Sequence, residues 1–113
     1  MKSFMGILAV GLVFLFCGGA SAQLGGWTSV SVHDPEVVSA ANFAVWTVQQ
    51  KETEKEIILI KIVQASRQVV AGTNYKMELK LRIKKGGRAS AEAVVWRKLS
   101  GDYELTSWTW LNL

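Results

Sequence analysis

Few side chains in this sequence are of the kinds that catalyse reactions or bind metal ions. The chain has one cysteine, Cys17, and one histidine, His33. It therefore has too few thiolate and imidazole side chains to favour a metal site or a catalytic serine–histidine pair. Its carboxylates fall mostly in predicted turns and on the polar faces of predicted strands, and a small two-layer fold offers little cleft in which two of them could meet. We therefore expect no enzyme activity, no metal site and no cofactor.

The segment Gln68-Val69-Val70-Ala71-Gly72 is more informative, because it lies between two long predicted strands and should form a hairpin tip. Hairpin tips normally carry polar turn residues. This one places two β-branched apolar residues, Val69 and Val70, where water would surround them. Either the two valines are strand ends that face the core, or they form an exposed apolar surface that binds a partner.

A helix is predicted to precede this hairpin. Asp34 is suited to cap the helix, Pro35 fits its first position and Glu36 favours the positive end of the helix dipole. Apolar residues then recur at helical spacing as far as about Gln50, so one face of the helix must be buried.

The rest of the sequence reads as strands, of which the clearest alternates apolar and polar residues from Tyr75 to Lys84. The other predicted strands are Trp27–Val32, Glu56–Gln64 with a continuation toward Arg67, Ala89–Val95 and Tyr103–Leu111, with a loop at Gln68–Asn74 and a turn at Leu99–Asp102. Trp96, Trp108 and Trp110 are expected to pack on the sheet or cover its edge, and a second binding surface is the alternative. This order predicts an α+β fold in which one helix packs across a twisted antiparallel sheet of four to five strands.

The start of the chain has the order of a secretory signal peptide. Lys2 is followed by an apolar run from Phe4 to Phe16 and by Ala20-Ser21-Ala22, which fits a cleavage site. A membrane anchor is the alternative, but the apolar run is short for a spanning helix, which needs about 20 residues. We predict a signal peptide at residues 1–22 and a mature domain at 23–113, located outside the cell or in a secretory-pathway compartment such as the vacuole.

Once Cys17 is removed with the signal peptide, the mature domain has no cysteine, so its core and hydrogen bonds alone must hold it together. The formal net charge of the whole chain is +4, which is mild. The basic residues are spread along the mature domain. We therefore expect no nucleic-acid partner, and no membrane association after the signal peptide is cleaved.

Four motifs in this order resemble those of the cystatin family, whose members inhibit papain-like cysteine proteases. Gln68–Gly72 matches the family motif Q-x-V-x-G, and Ala41–Val45 resembles the A-x-F-A-V core of the helix signature. Gly25-Gly26-Trp27 looks like the N-terminal double glycine, and Val95–Lys98 resembles the end of the fourth strand. Thr73-Asn74-Tyr75 and the absence of cysteine are similar to plant-type, disulfide-free members. The resemblance covers essentially all of the mature domain.

The resemblance implies a reversible, tight-binding inhibitor that needs no catalytic residue. A wedge would block the active-site cleft of a papain-like cysteine protease without placing a peptide bond for attack. The wedge would comprise an N-terminal segment and two hairpin tips. By resemblance, its residues are Gly25, Gly26, Gln68, Val69, Val70, Ala71, Gly72, Leu99 and Ser100.

The second hairpin tip departs from the family pattern. The family has a Pro-Trp pair or a single tryptophan there, whereas this chain has Leu99-Ser100. Truncating an interface tryptophan often costs about 2 kcal/mol or more, so we expect inhibition weaker by roughly one to two powers of ten than with the full motif. The alternative is a cystatin-fold module that binds a protein without inhibiting a protease.

Two further expectations concern membranes and assembly. A basic peptide acting on anionic membranes is disfavoured, because the predicted helix from Pro35 to Gln50 contains no lysine or arginine. We expect a monomer. A domain-swapped dimer is the alternative assembly, formed if backbone strain at Val70 is relieved when the hairpin straightens.

Overall fold

The computed structural model describes residues 26–112, so Gly25 and the predicted signal peptide at residues 1–22 lie outside the described residues. The elements, in order, are β1 (Thr28–Val30), α1 (Pro35–Lys51), β2 (Ile57–Val70), β3 (Gly72–Ile83), β4 (Gly87–Arg97) and β5 (Tyr103–Asn112). The strands form one antiparallel sheet in the order β1-β2-β3-β4-β5. The predicted α+β fold, with one helix packed on an antiparallel sheet, is confirmed.

The predicted start of the helix is confirmed in its atomic contacts. The Asp34 carboxylate accepts a hydrogen bond from the backbone N–H of Glu36 at 2.8 Å, and Pro35 occupies the first turn. At the other end, the side chain of Gln49 donates to the carbonyl of Lys55 at 2.6 Å and accepts from the N–H of Ile57 at 2.7 Å. This glutamine therefore fastens the end of α1 to the start of β2.

The core lies between α1 and one face of the sheet, which we call the helix face. Small residues on both layers allow close approach, because Ala40, Ala41 and Ala44 of the helix meet a row of alanines on β4. The larger buried side chains come mainly from β3 and from the end of β4. They include Tyr75, Met77, Leu79, Leu81 and Val95, and the helix adds Val37. The remaining, solvent-exposed side of the sheet is its outer face.

The first hairpin differs from its prediction, because the loop expected at Gln68–Asn74 is wrong. β2 extends to Val70 and β3 begins at Gly72, so that only Ala71 lies between the two strands. Gln68 pairs with Asn74, and Val69 pairs with Thr73. β-Branched residues fit the pleated conformation of a strand, and they carry the pairing to the end of the hairpin.

Candidate functional site

The sheet topology brings three predicted segments to the same end of the molecule. β1 runs antiparallel to β2 with Thr28 opposite Arg67, so Gly26 lies at the end where β2 reaches its hairpin tip. β4 pairs with β3 so that Arg97 lies opposite Thr73, which places the β4–β5 turn at that end as well. We call this end, formed by Gly26, residues 68–72 and residues 98–102, the tip edge.

The first hairpin combines both interpretations of its valines. Val69 and Val70 belong to β2, as the strand-end interpretation requires. The side chain of Val69 is nevertheless 64% exposed, whereas Val70 is half-buried. Val69 and the exposed Ala71 therefore give the tip an apolar surface that meets water.

Gly72 is required by the fold of this hairpin. Its φ is +93°, a conformation that side-chain-bearing residues rarely adopt, and a Cβ added here would overlap the backbone carbonyl of Arg97. Lys85, far from the tip, is the non-glycine residue with positive φ among residues 26–112. Val70 therefore does not have the positive φ that would indicate backbone strain, and the left-handed residue of this hairpin is Gly72.

Trp96 connects the second hairpin to the tip of the first. Its indole Nε1–H donates a hydrogen bond to the carbonyl oxygen of Ala71 at 2.8 Å. Beside it, the amide of Asn74 donates to the side-chain oxygen of Gln68 at 3.1 Å. Trp96 was expected to pack on the sheet or cover its edge, and the alternating pattern did not indicate that its ring reaches a hairpin tip.

The second hairpin tip has a defined backbone and an exposed apolar residue. The N–H of Gly101 donates to the carbonyl of Lys98, and the N–H of Lys98 donates to the carbonyl of Asp102, both at 2.8 Å. The hydroxyl of Ser100 donates to the Asp102 carboxylate at 3.3 Å. Leu99 is 83% exposed, so it is presented to solvent where the family pattern has tryptophan.

Glu36 fastens the base of this second hairpin to the first turn of α1. Its carboxylate accepts from the Tyr103 hydroxyl at 3.0 Å and from Nε of Arg97 at 3.1 Å. The ring of Tyr103 also lies 5.6 Å from that of Phe43, measured between centroids. Burial, helped by the hydrogen bond to Glu36, raises the pKa of Tyr103, so this hydroxyl keeps the proton it donates to higher pH than an ordinary tyrosine does.

The N-terminal part of the tip edge is open. Gly26 is exposed, and a Cβ placed on it would meet nothing within 4 Å. The next residue, Trp27, lies beneath the ammonium group of Lys76, which is 4.5 Å from the ring centroid. The fold itself therefore does not require glycine at position 26, in contrast to position 72.

The described residues hold no group of three or more histidine, cysteine, aspartate or glutamate side chains that could bind a metal ion. The helix within residues 26–112 is also not long and apolar enough to cross a membrane. What the tip edge presents is apolar area, from Val69, Ala71 and Leu99, on a backbone that hydrogen bonds and Gly72 hold in place. Such an arrangement can enter and fill a cleft.

Sequence comparison finds relatives along most of the chain. Residues 30–111 match a family model described as aspartic acid proteinase inhibitor. The chain is 34% identical to cysteine proteinase inhibitor 5 of Arabidopsis thaliana over 84% of this chain and 79% of the relative. It is 27% identical to putative cysteine proteinase inhibitor 7 of Oryza sativa subsp. japonica, over 81% of this chain and 79% of the relative.

Solved structures share the fold at low sequence identity. Dimeric human cystatin F has a TM-score of 0.69 at 16% identity, over 79% of this chain and 88% of its own. The salivary cystatin of the soft tick Ornithodoros moubata has a TM-score of 0.66 at 20% identity, over 78% of this chain and 98% of its own. Both likenesses concern the architecture of one helix on an antiparallel sheet.

Proposed function

This chain belongs to the cystatin family of proteinase inhibitors, and we propose that it is a reversible, tight-binding inhibitor of papain-like cysteine proteases. The observation that carries this proposal is the tip edge. Gly26, the first hairpin tip and the second hairpin tip lie at one end of the sheet, although they are far apart in the sequence. Relatives named as cysteine proteinase inhibitors support the same target class.

In the proposed mechanism, the tip edge enters the active-site cleft and excludes the substrate. Val69 and Leu99 contribute the apolar area that is removed from water on binding, since both are exposed in the free protein. Gly26 lets the backbone lie against the wall of the cleft, and Gly25 does the same in the segment before the described residues. Because Gly72 and Trp96 hold the first tip in one conformation, little conformational entropy is lost on binding.

Aspartic proteases are a second candidate target class. The description of the matched family model favours them. One feature of the tip edge also favours a different target class: Leu99-Ser100 stands where cysteine protease inhibitors typically have tryptophan. A third candidate is the non-inhibitory binding module, in which the same edge binds a protein other than a protease.

Inhibition assays with papain and with pepsin separate these candidates. The mature chain, residues 23–113, is titrated into each enzyme while a fluorogenic substrate is followed. Inhibition of papain at or below micromolar concentration supports the proposal, inhibition of pepsin alone supports the second target class, and inhibition of neither leaves the binding module. Val69→Asp should weaken inhibition at least tenfold. Ile60→Asp is the matched control, since Ile60 is also exposed but lies far along β2 from the tip.

We also propose that residues 1–22 direct secretion and that cleavage occurs after Ala22, as the small residues at this site favour. Expression in a secreting eukaryotic host, followed by mass spectrometry of the secreted protein, tests this. A mature protein that begins at Gln23 supports it, whereas an intracellular product that retains residue 1 contradicts it.

For assembly, we propose a monomer that can convert to a domain-swapped dimer. Straightening β2 and β3 into one strand would release the left-handed conformation of Gly72 and remove the first tip. Gel filtration after mild heating, with inhibition measured in each fraction, tests the conversion. A dimer that inhibits as strongly as the monomer would contradict loss of the tip.

A further inference from the structure

The outer face of the sheet carries a group of exposed cations at the end opposite the tip edge. Lys80 and Arg82 alternate along β3 with buried leucines, so they lie on the outer face. The strand register places Lys61 opposite Lys80, and Arg88 opposite Arg82. The turn after β3 adds two further lysines. We call this group the cationic end, and its members are Lys61, Lys80, Arg82, Lys84, Lys85 and Arg88.

The arrangement of these cations is unfavourable for the free protein. Like charges directly opposite each other on neighbouring strands destabilise a sheet, and here lysine faces lysine and arginine faces arginine. Glu56 forms an ion pair with Lys84 at 3.6 Å. The acids Glu78 and Glu92 lie one row nearer the tip edge and face each other, so they do not alternate with the cations. An anion placed over the cationic end would relieve the repulsion.

Aliphatic side chains lie directly beside the cations. Ile58 and Ile60 of β2 are 37% and 53% exposed. Ile58 is paired with Arg82, whereas Ile60 lies in a bulge between Leu59 and Lys61 and is left out of the pairing. A depression of about 350 Å³ opens at the same place, and its lining includes Ile58, Arg82, Lys84 and Lys85 together with Glu56, whose carboxylate is paired with Lys84. The surface is thus cationic and apolar at once.

We propose that the cationic end binds the surface of an anionic phospholipid membrane. Phosphate and carboxylate groups of the lipids neutralise the cations, one head group occupies the depression, and Ile58 and Ile60 enter the interface beside it. The isoleucines favour lipid over a dissolved polyanion. In a complex with a nucleic acid or an acidic polysaccharide they would remain in water and contribute nothing.

This inference replaces the expectation that the mature chain does not associate with membranes. That expectation rested on the mild net charge and on a helix without basic residues, whereas the basic amphipathic surface lies on the sheet. It also goes beyond protease inhibition. Along β3, Lys80 lies eight residues from Gly72, so the cationic end and the tip edge are separated by about 26 Å at roughly 3.3 Å per residue. Both surfaces can therefore be occupied at once.

Flotation with lipid vesicles tests the proposal. The mature chain is mixed with vesicles of phosphatidylcholine alone or of phosphatidylcholine with phosphatidylserine, at low and at high salt. We expect binding to the anionic vesicles only, weakened by salt. Each cation near such a surface contributes about fivefold, so the double variant Lys80→Glu/Arg82→Glu should lose on the order of a hundredfold or more. Ile60→Ser, which leaves the charge unchanged, should lose roughly tenfold.

The controls separate this proposal from simpler explanations. Lys51→Glu/Arg67→Glu makes the same change in net charge at exposed residues outside the cationic end and should retain binding close to that of the unchanged protein. Papain inhibition, where present, should be unaffected by Lys80→Glu/Arg82→Glu. The melting temperature should not fall, because opposite charges then face each other across the strands. Absence of binding to anionic vesicles overturns the proposal. An equal loss of vesicle binding in both double variants also overturns it. A third contradicting result is binding to a soluble sulfated polysaccharide combined with unchanged vesicle binding by Ile60→Ser.

Discussion

Two glycines of the tip edge occupy their positions for different reasons. At Gly72 the folded chain itself excludes a side chain, since φ is positive and the carbonyl of Arg97 fills the space of a Cβ. At Gly26 the free protein has room for a side chain. Any requirement for glycine at position 26 must therefore come from a bound partner. Substitutions at Gly26 and Gly72 can thus separate effects on binding from effects on stability.

Substituting each glycine by alanine should therefore give opposite results. Gly72→Ala should destabilise the protein by about 1–3 kcal/mol, because it strains the backbone and pushes the hairpin away from β4. Gly26→Ala should leave the melting temperature unchanged and weaken inhibition. Thermal unfolding and inhibition constants for papain measure the two effects. Unchanged inhibition by Gly26→Ala would remove the N-terminal segment from the binding surface.

The tryptophans of the sheet can be distinguished by the partners of their indole N–H groups. Trp96 donates to the carbonyl of Ala71, whereas Nε1 of Trp108 is buried without a hydrogen-bond partner among the described residues. Trp96→Phe should cost about 1 kcal/mol of hydrogen bonding at the tip and weaken inhibition several-fold. Trp108→Phe removes an unsatisfied donor and should be neutral or stabilising. Equal losses of inhibition would show that Trp96 acts by packing alone.

At the level of elements, the second hairpin depends on α1 for its position. Glu36 in the first turn of the helix holds Arg97 at the end of β4 and Tyr103 at the start of β5. The two residues flank the turn that presents Leu99. A change in the first turn of the helix should therefore be transmitted mainly to the second tip.

Glu36→Ala should loosen this attachment. Its ion pair with Arg97 is half-exposed, so the loss of global stability should stay near 1 kcal/mol. Amide hydrogen exchange should quicken at residues 97–103, while the buried centre of β3 around Leu79 keeps its protection. Exchange measured by NMR in the variant and the parent protein tests this. Uniform acceleration across the sheet would indicate general destabilisation.

How far the sequence predicts these elements depends on the distance over which each is determined. Asp34-Pro35-Glu36 and the alternation from Tyr75 onward are local signals, and both predictions are confirmed. The loop predicted at Gln68–Asn74 was wrong, because the register of β2 and β3 determines where strand pairing stops and the composition of the segment does not. The β-bulges of β2 could likewise not be predicted, because the isoleucine-rich sequence of this strand is continuous.

The candidate site shows the same limit. The resemblance predicted three segments for the tip edge, and the strand pairing places those within the described residues at one end of the sheet. The contacts that hold them were not predicted. Trp96 and Ala71 are 25 positions apart, and Glu36 and Tyr103 are 67 apart. Such pairs meet only because the strand register aligns them, and residue type alone does not reveal it.

At the level of the whole molecule, residues 26–112 contain no cysteine and rely on their core. Two tyrosines, the buried Tyr75 and the half-buried Tyr103 packed against the core, make the stability sensitive to alkaline pH. Burial is the main cause that raises the pKa of Tyr75 and that of Tyr103 above the usual 10.0. For Tyr75, the carboxylates of Glu36 and Asp34 add to this. The protonated phenols thus belong to the folded state.

The sign of the pH dependence follows from these raised values. The unfolded tyrosines lose their protons near pH 10, whereas the folded ones retain theirs to higher pH, so stabilisation is complete below pH 10 and is lost as pH rises through the folded pKa values. The free energy of unfolding should fall above pH 10 by up to about 1.4 kcal/mol per pH unit for each tyrosine. Denaturant titrations at several pH values measure it. In the double variant Tyr75→Phe/Tyr103→Phe, the free energy of unfolding should fall less steeply with pH than in the parent protein, because both proteins contain the same lysines. An identical slope in the two proteins would mean that these phenols titrate alike in the folded and unfolded states.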